Sequence, residues 1–183
     1  MIITQKILLK NFEIQSTFKF RMHFRNQFRL YREEIISKMF EFSAELYLKT
    51  LARSRKPWDI TIESLLSKPK ESLGYAMGEF LQINQFQLQP RAENHDVFHV
   101  LTGYKPTVEE EVGLQFLLLG NGKRSLFLFV ALLGGFCLMP EAYSFYQKSY
   151  QKGKNMLPFT DLAFEDLLDE NLLALQNALN KNV

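Results

Sequence analysis

Apolar residues recur at three- and four-residue intervals along most of the chain, and no stretch alternates for long enough to predict a sheet. The spacing predicts a helix over 33–53, with Ile36, Met39, Phe40 and Leu46 inward and a break at Ser54 to Pro57. Another is predicted over 71–82, with Leu73, Met77, Phe80 and Leu81 inward; Gly74 and Gly78 there leave room for a neighbouring backbone or for one wall of a cavity. Pro90 precedes a helix carrying His95 to Leu101, which Gly103 and Pro106 end. Thr107 and Glu110 have capping-box spacing, the hydroxyl capping the next helix and the carboxylate reaching back to Thr107. That helix runs to about Leu119 and turns at Asn121–Gly122. An apolar helix over 125–139 follows. Pro140 opens the next helix, which carries Tyr143, Tyr146 and Tyr150 on one face and which Gly153 stops. A last helix holds Leu168, Leu172, Leu175 and Leu179 inward, with Asp161, Glu165, Asp166, Asp169 and Glu170 as solvated capping at its amino end. No repeat, low-complexity segment or linker divides the chain, so the predicted fold is a single all-α domain over 1–183, a compact helical bundle.

Two segments depart from an ordinary amphipathic pattern. Leu126 to Met139 is apolar for fourteen residues, with Gly134–Gly135 inside the run. A spanning helix needs about 20 residues. The run therefore reads first as a buried core helix, and second as a helix that touches a membrane or lines a lipid cavity. Toward the amino end, Phe20, Phe24, Phe28 and Tyr31 form an aromatic stripe, and Arg21, Arg25, Arg29 and Arg32 follow it one residue later. The simplest reading packs these aromatics on the core; the next lays the helix on an anionic membrane surface. One basic stripe without a recognised motif argues against nucleic acid as a partner.

Composition sharpens this picture. Seventeen Phe in 183 residues imply a large aromatic interior or an apolar face for a lipid. The net charge of +2 conceals an amino-terminal excess: residues 1–32 carry seven Lys/Arg against Glu13 alone. Cys137 is the only cysteine, which excludes an internal disulfide and a cysteine-based zinc ribbon and suits a reducing compartment. The first residues lack the apolar stretch and small-residue cleavage site of a secretory signal, and their Phe-rich, Ser-poor character counts against a mitochondrial presequence.

The chemistry concentrates at residues 95–111. On a helix each residue turns by about 100°, so His95 and His99 lie about 40° apart on one face and Asp96 about 60° beyond His99. The break from Gly103 to Thr107 lets the chain reverse, so that Glu111 on the next helix can return beside them. Two nitrogens and two oxygens without a thiolate suit Zn²⁺, Fe²⁺ or Mn²⁺, and spacing does not choose among them. The alternative is a helix terminus with hydrogen-bonded polar residues. Val97, Phe98, Val100 and Leu101 weigh against it, because they raise the cost of burying those charges without a cation.

His95-Asp96-Val97-Phe98-His99, eleven residues and then Glu111 resembles the signature of the coenzyme Q biosynthesis protein 4 family. The joining segment Val100 to Thr107 is similar to that family too, as are Ser72 to Ala76 with Phe80-Leu81, and the order of the helices downstream. The resemblance covers about 59–180, a metal-binding core, and leaves 1–58 as a basic, aromatic amino-terminal part. Glu110 stands where the family commonly has a small residue.

The resemblance implies an all-helical fold and a divalent metal, zinc first and iron or manganese after it, on His95, Asp96, His99 and Glu111. It implies peripheral membrane attachment, on the cytoplasmic side or the matrix side in a eukaryote. It implies prenyl-lipid binding, partnership with other quinone-biosynthesis enzymes, and replacement of the ring carboxylate of a prenylated hydroxybenzoate by a hydroxyl. A homodimer is compatible with it. The rival expectation is a non-catalytic scaffold that binds prenyl lipid and organises pathway enzymes. A metal-dependent phosphohydrolase is a third, weaker reading, since such enzymes scatter their ligands over several helices.

Overall fold

A computed structural model describes residues 26–43, 45, 46, 49 and 56–181. The chain divides into two compact units, 1–35 and 36–183. In the first, residues 26–35 are helical, Arg29 pairs with Glu33 at 2.8 Å, and the Arg32 guanidinium stands over the Phe28 ring. Phe28 and Tyr31 are both more than half exposed. Phe20, Phe24, Arg21 and Arg25 lie outside the described residues, as does the predicted break at Ser54.

The second unit is all-α. Its elements are α1 (36–43), α2 (Ile62–Leu66), α3 (Leu73–Ile83), α4 (Glu93–Thr102), α5 (Val108–Gly120), α6 (Leu126–Leu138), α7 (Tyr143–Lys154) and α8 (Leu172–Leu179). Among the described residues the only β features are the isolated bridges Ser72–Asn171 and Met156–Asn180. Thr61, Ser72, Thr107, Ser125 and Asn171 each accept a backbone N–H at the start of their helix, which satisfies donors that the first turn cannot. The Glu110 carboxylate does turn back, but it accepts from Lys105 N at 2.8 Å rather than from Thr107.

α5 is the axis of the unit. Val112, Leu114, Leu117 and Leu118 are fully buried, and its broadest packing is against α7. That contact depends on glycine from both helices: a Cβ on Gly120 would strike the Tyr150 carbonyl, and one on Gly153 the Leu117 carbonyl. Gly153 therefore sits inside α7 as a packing residue and does not stop it. The main core gathers Leu73, Met77, Leu81, Phe98, Leu117, Phe159 and Phe164. A second cluster joins Ile36 of α1 to Val112, Met139, Ala142 and Tyr146.

Four further expectations change. Pro140 opens a separate 3₁₀ turn, Pro140–Ala142, before α7. The Leu168–Leu179 helix is broken: a 3₁₀ turn covers Phe164–Leu167, and α8 starts only after the Asn171 cap. Asp169 is not merely solvated, since it takes the Lys68 ammonium at 2.8 Å. The largest change is α6. Leu128, Ala131, Gly134 and Gly135 are buried, but Leu126, Phe129, Leu133 and Phe136 are each at least half exposed. Because α6 is apolar all round, burial of one side leaves an apolar stripe on the other, so it is not the enclosed core helix expected first. Among the described residues no single helix is long and apolar enough to cross a membrane.

Candidate metal centre

α4 and α5 are joined by a reversal that the sequence encodes locally. Gly103 ends α4 in the left-handed conformation, φ 76°, where a side chain would be strained. The last carbonyls of α4 all find donors: Thr102 Oγ1 bonds Phe98 O, Gly103 N bonds His99 O, Gln176 Nε2 bonds Leu101 O and Lys152 Nζ bonds Thr102 O. At the other end, buried Glu93 accepts from the N–H groups of Trp58 and Arg91. The helix that bears the histidines is thus held at both ends.

This reversal brings His95, His99 and Glu111 together, with one donor atom from each within 4.8 Å of the others. His95 Nε2 lies 3.5 Å from Glu111 Oε2, and His99 Nε2 lies 3.0 Å from Glu111 Oε1. Donors about 2.1 Å from a tetrahedral zinc are roughly 3.4 Å apart, so these separations fit one cation. His99 Nδ1 is 2.9 Å from the Tyr104 carbonyl. A carbonyl can only accept, so Nδ1 carries the proton and Nε2 is the atom left for a metal, the usual arrangement around a metal-binding imidazole. Phe80 of α3 stacks on the same ring, 5.2 Å between centroids and 15° from parallel. Tyr104 is itself anchored, its hydroxyl donating to Ser149 Oγ at 2.7 Å while the Lys152 ammonium stands over its ring. The chemistry of the donor set and its fixed tautomer fit a divalent cation.

Asp96 stands half-buried beside these three and is not one of the group that meets their mutual spacing. Burial pushes its carboxyl up to about 6, against the pull of His95 and His99 and with the push of Glu111 and Glu93. Burial alone would also raise Glu111, but hydrogen bonds and charge from His95 and His99 override it and hold that carboxyl at about 2. For His99 burial opposes protonation, yet the bond and charge of Glu111, with Tyr104 O and Asp96, raise it overall. Glu111 is thus the common partner of both imidazoles.

Phe80 and Tyr104 are the neighbours that sequence reasoning did not place at the site. Phe80 was assigned an inward position without a partner. The role of Tyr104 is carried by its backbone carbonyl, which no side-chain pattern signals.

The profile of the family described as coenzyme Q (ubiquinone) biosynthesis protein Coq4 matches residues 86–182, a span that includes His95, Asp96, His99 and Glu111. No curated protein matches the chain. Among solved structures, the fold is similar to that of a candidate ubiquinone biosynthesis protein from Nostoc punctiforme PCC 73102, at TM-score 0.57 and 16% identity over 79% of this chain and 82% of that one. The chain belongs to the coenzyme Q (ubiquinone) biosynthesis protein Coq4 family and has a role in ubiquinone biosynthesis.

Proposed function

We propose that the chain is a metal-dependent enzyme acting on a prenylated hydroxybenzoate: the ring carboxylate leaves as carbon dioxide, water supplies the hydroxyl that replaces it, and dioxygen as oxidant takes up the two electrons and two protons released, becoming hydrogen peroxide. The observation that carries this reading is the convergence of His95, His99 and Glu111 at cation-binding distances. Asp96 is the fourth ligand in this proposal, brought in from its neighbouring position when a cation neutralises the charge it would otherwise share with Glu111. Zinc is the first choice of metal, with iron or manganese after it. The bound cation supplies a Lewis acid that polarises the ring carboxylate. The protein's own part is to orient: Phe80 and Tyr104 fix the His99 ring, and the ties that hold α4 at both ends keep the helix carrying both imidazoles in place.

The prenyl tail and a membrane surface would meet α6. Leu126, Phe129, Leu133 and Phe136 fall within about 80° of arc on that helix. They form an exposed apolar strip suited to an acyl or isoprenoid phase, consistent with peripheral attachment on the cytoplasmic or matrix side. Other quinone-biosynthesis enzymes are the expected partners.

The same strip favours a second reading, a scaffold that binds prenyl lipid and pathway enzymes and uses its metal structurally. Incubating metal-loaded protein with a prenylated hydroxybenzoate under air separates the two. Product that disappears in folded Glu111→Ala supports the enzyme; unchanged substrate with retained lipid supports the scaffold.

A further inference from the structure

Gln115 is fully buried on α5, and among the described residues neither its Nε2 nor its Oε1 has a hydrogen-bond partner. A buried carboxamide with both ends unpaired is costly, and native proteins seldom keep one without a use. Its neighbours along the helix locate it. Gln115 lies one turn beyond Glu111, about 6 Å along the axis and about 40° round it. That rotation is toward Val112, the residue against which Gly135 of α6 packs. Gln115 therefore occupies the side of α5 between the metal donors and the apolar helix.

Depth orders the same residues. The His95 side chain is 34% exposed and that of Glu111 21%, whereas His99 is 2% and Gln115 0% exposed. His99 and Gln115 are thus the enclosed members of these four residues, and His95 is the most exposed. The two helices thus each offer an i, i+4 pair: His95 with His99, and Glu111 with Gln115. Side chains so spaced have Cβ atoms about 5–6 Å apart, a gap that one small oxygen-bearing group can bridge.

We propose that Gln115 is the inner polar anchor of this site, hydrogen-bonded to the oxygen group that fills the cation's open position. Its carboxamide has a donor and an acceptor, so Oε1 accepts from a bound water and Nε2 donates to a carboxylate that replaces the water. Gln115 is a ligand-selecting residue, favouring an oxygen anion over an apolar group at the inner end of the site. The inference rests on the cation site proposed above.

Calorimetric titration with zinc, and then with sodium benzoate on the zinc-loaded protein, tests it on wild type, Gln115→Met and Gln115→Glu. Thermal unfolding is followed with and without zinc. Gln115→Met is expected to raise the Tm of the zinc-free protein, because the unpaired amide is gone, and to weaken zinc or benzoate binding roughly tenfold, as loss of an outer-sphere partner does. Gln115→Glu is expected to lower the zinc-free Tm and to bind zinc at least as tightly as wild type. A change confined to the zinc arm identifies the partner as water, and one confined to the benzoate arm identifies it as carboxylate. Equal binding of both probes by all three proteins overturns the assignment of Gln115 alone. Wild type that takes up no zinc removes the cation site and this inference together.

Discussion

At the scale of single residues, the Glu111–His99 pair sets how the cation-free protein responds to pH. Glu111 titrates at about 2 in the fold, below its ordinary value of 4.5. Its contribution is fully present above pH 4.5 and drains away as the pH falls from 4.5 toward 2. His99 is raised above 6.5, so its contribution is complete below 6.5 and is lost as the pH climbs through the raised value. The difference in Tm between wild type and Glu111→Gln, measured without metal, is therefore expected to be greatest near pH 5–6 and to shrink on either side; a pH-independent difference would refute the pairing. Zinc must displace the proton on His99, so its uptake is expected to strengthen as pH rises.

Asn121 makes a separate prediction. Read in the sequence only as a turn residue, it donates to Leu157 O at 2.9 Å and accepts from buried Phe159 N at 3.0 Å, tying the segment after α7 to the end of α5. Asn121→Ala leaves that N–H unpaired and is expected to cost about 2–3 kcal/mol, read from the shift in urea midpoint. The convergence of His95, His99 and Glu111 was legible because the two histidines share a face by helical spacing, and because Gly103 and Thr107 mark the reversal that returns Glu111. Asp96 was less so, since a step of about 100° turns it away from His95 and its reach then depends on a rotamer. Asn121 and the Tyr104 carbonyl owe their roles to partners more than thirty residues away or to backbone, which periodicity does not encode.

At the scale of elements, caps and turns followed local chemistry, while burial did not. The Ser125 cap fixes where α6 begins, and its composition reads as interior. Only the placement of α1 and α5 on one side of it leaves Leu126, Phe129, Leu133 and Phe136 outside. Replacing Phe129 and Leu133 together by Glu should leave the Tm within a degree or two, since exposed positions contribute little to stability. It should reduce binding to vesicles containing anionic lipid at least tenfold in a flotation assay. Undiminished flotation would remove α6 as the contact. Gly153 shows the opposite error, a residue read as a stop that is instead a point of close approach. Gly153→Ala must push α5 and α7 apart and is expected to destabilise by about 3 kcal/mol, in the range of overpacked core sites, measured by urea denaturation. A cost below that of an ordinary surface change would mean that the two helices yield.

At the scale of the whole molecule, the helical class was legible over most of 56–181, where apolar spacing and boundary signals coincide, but the short α2 was not predicted and α8 was drawn too long. What the assembled unit adds to the sequence is convergence. α3 supplies Phe80, α4 the imidazoles, α5 the carboxylate, and α7 the support of Tyr104. The most direct test of that convergence is metal analysis of purified protein after zinc loading and exhaustive dialysis, on wild type, His99→Ala and Glu111→Ala. The account requires one zinc per wild-type chain and near-complete loss in both folded variants; wild type without bound metal, or variants that retain it in full, would contradict it.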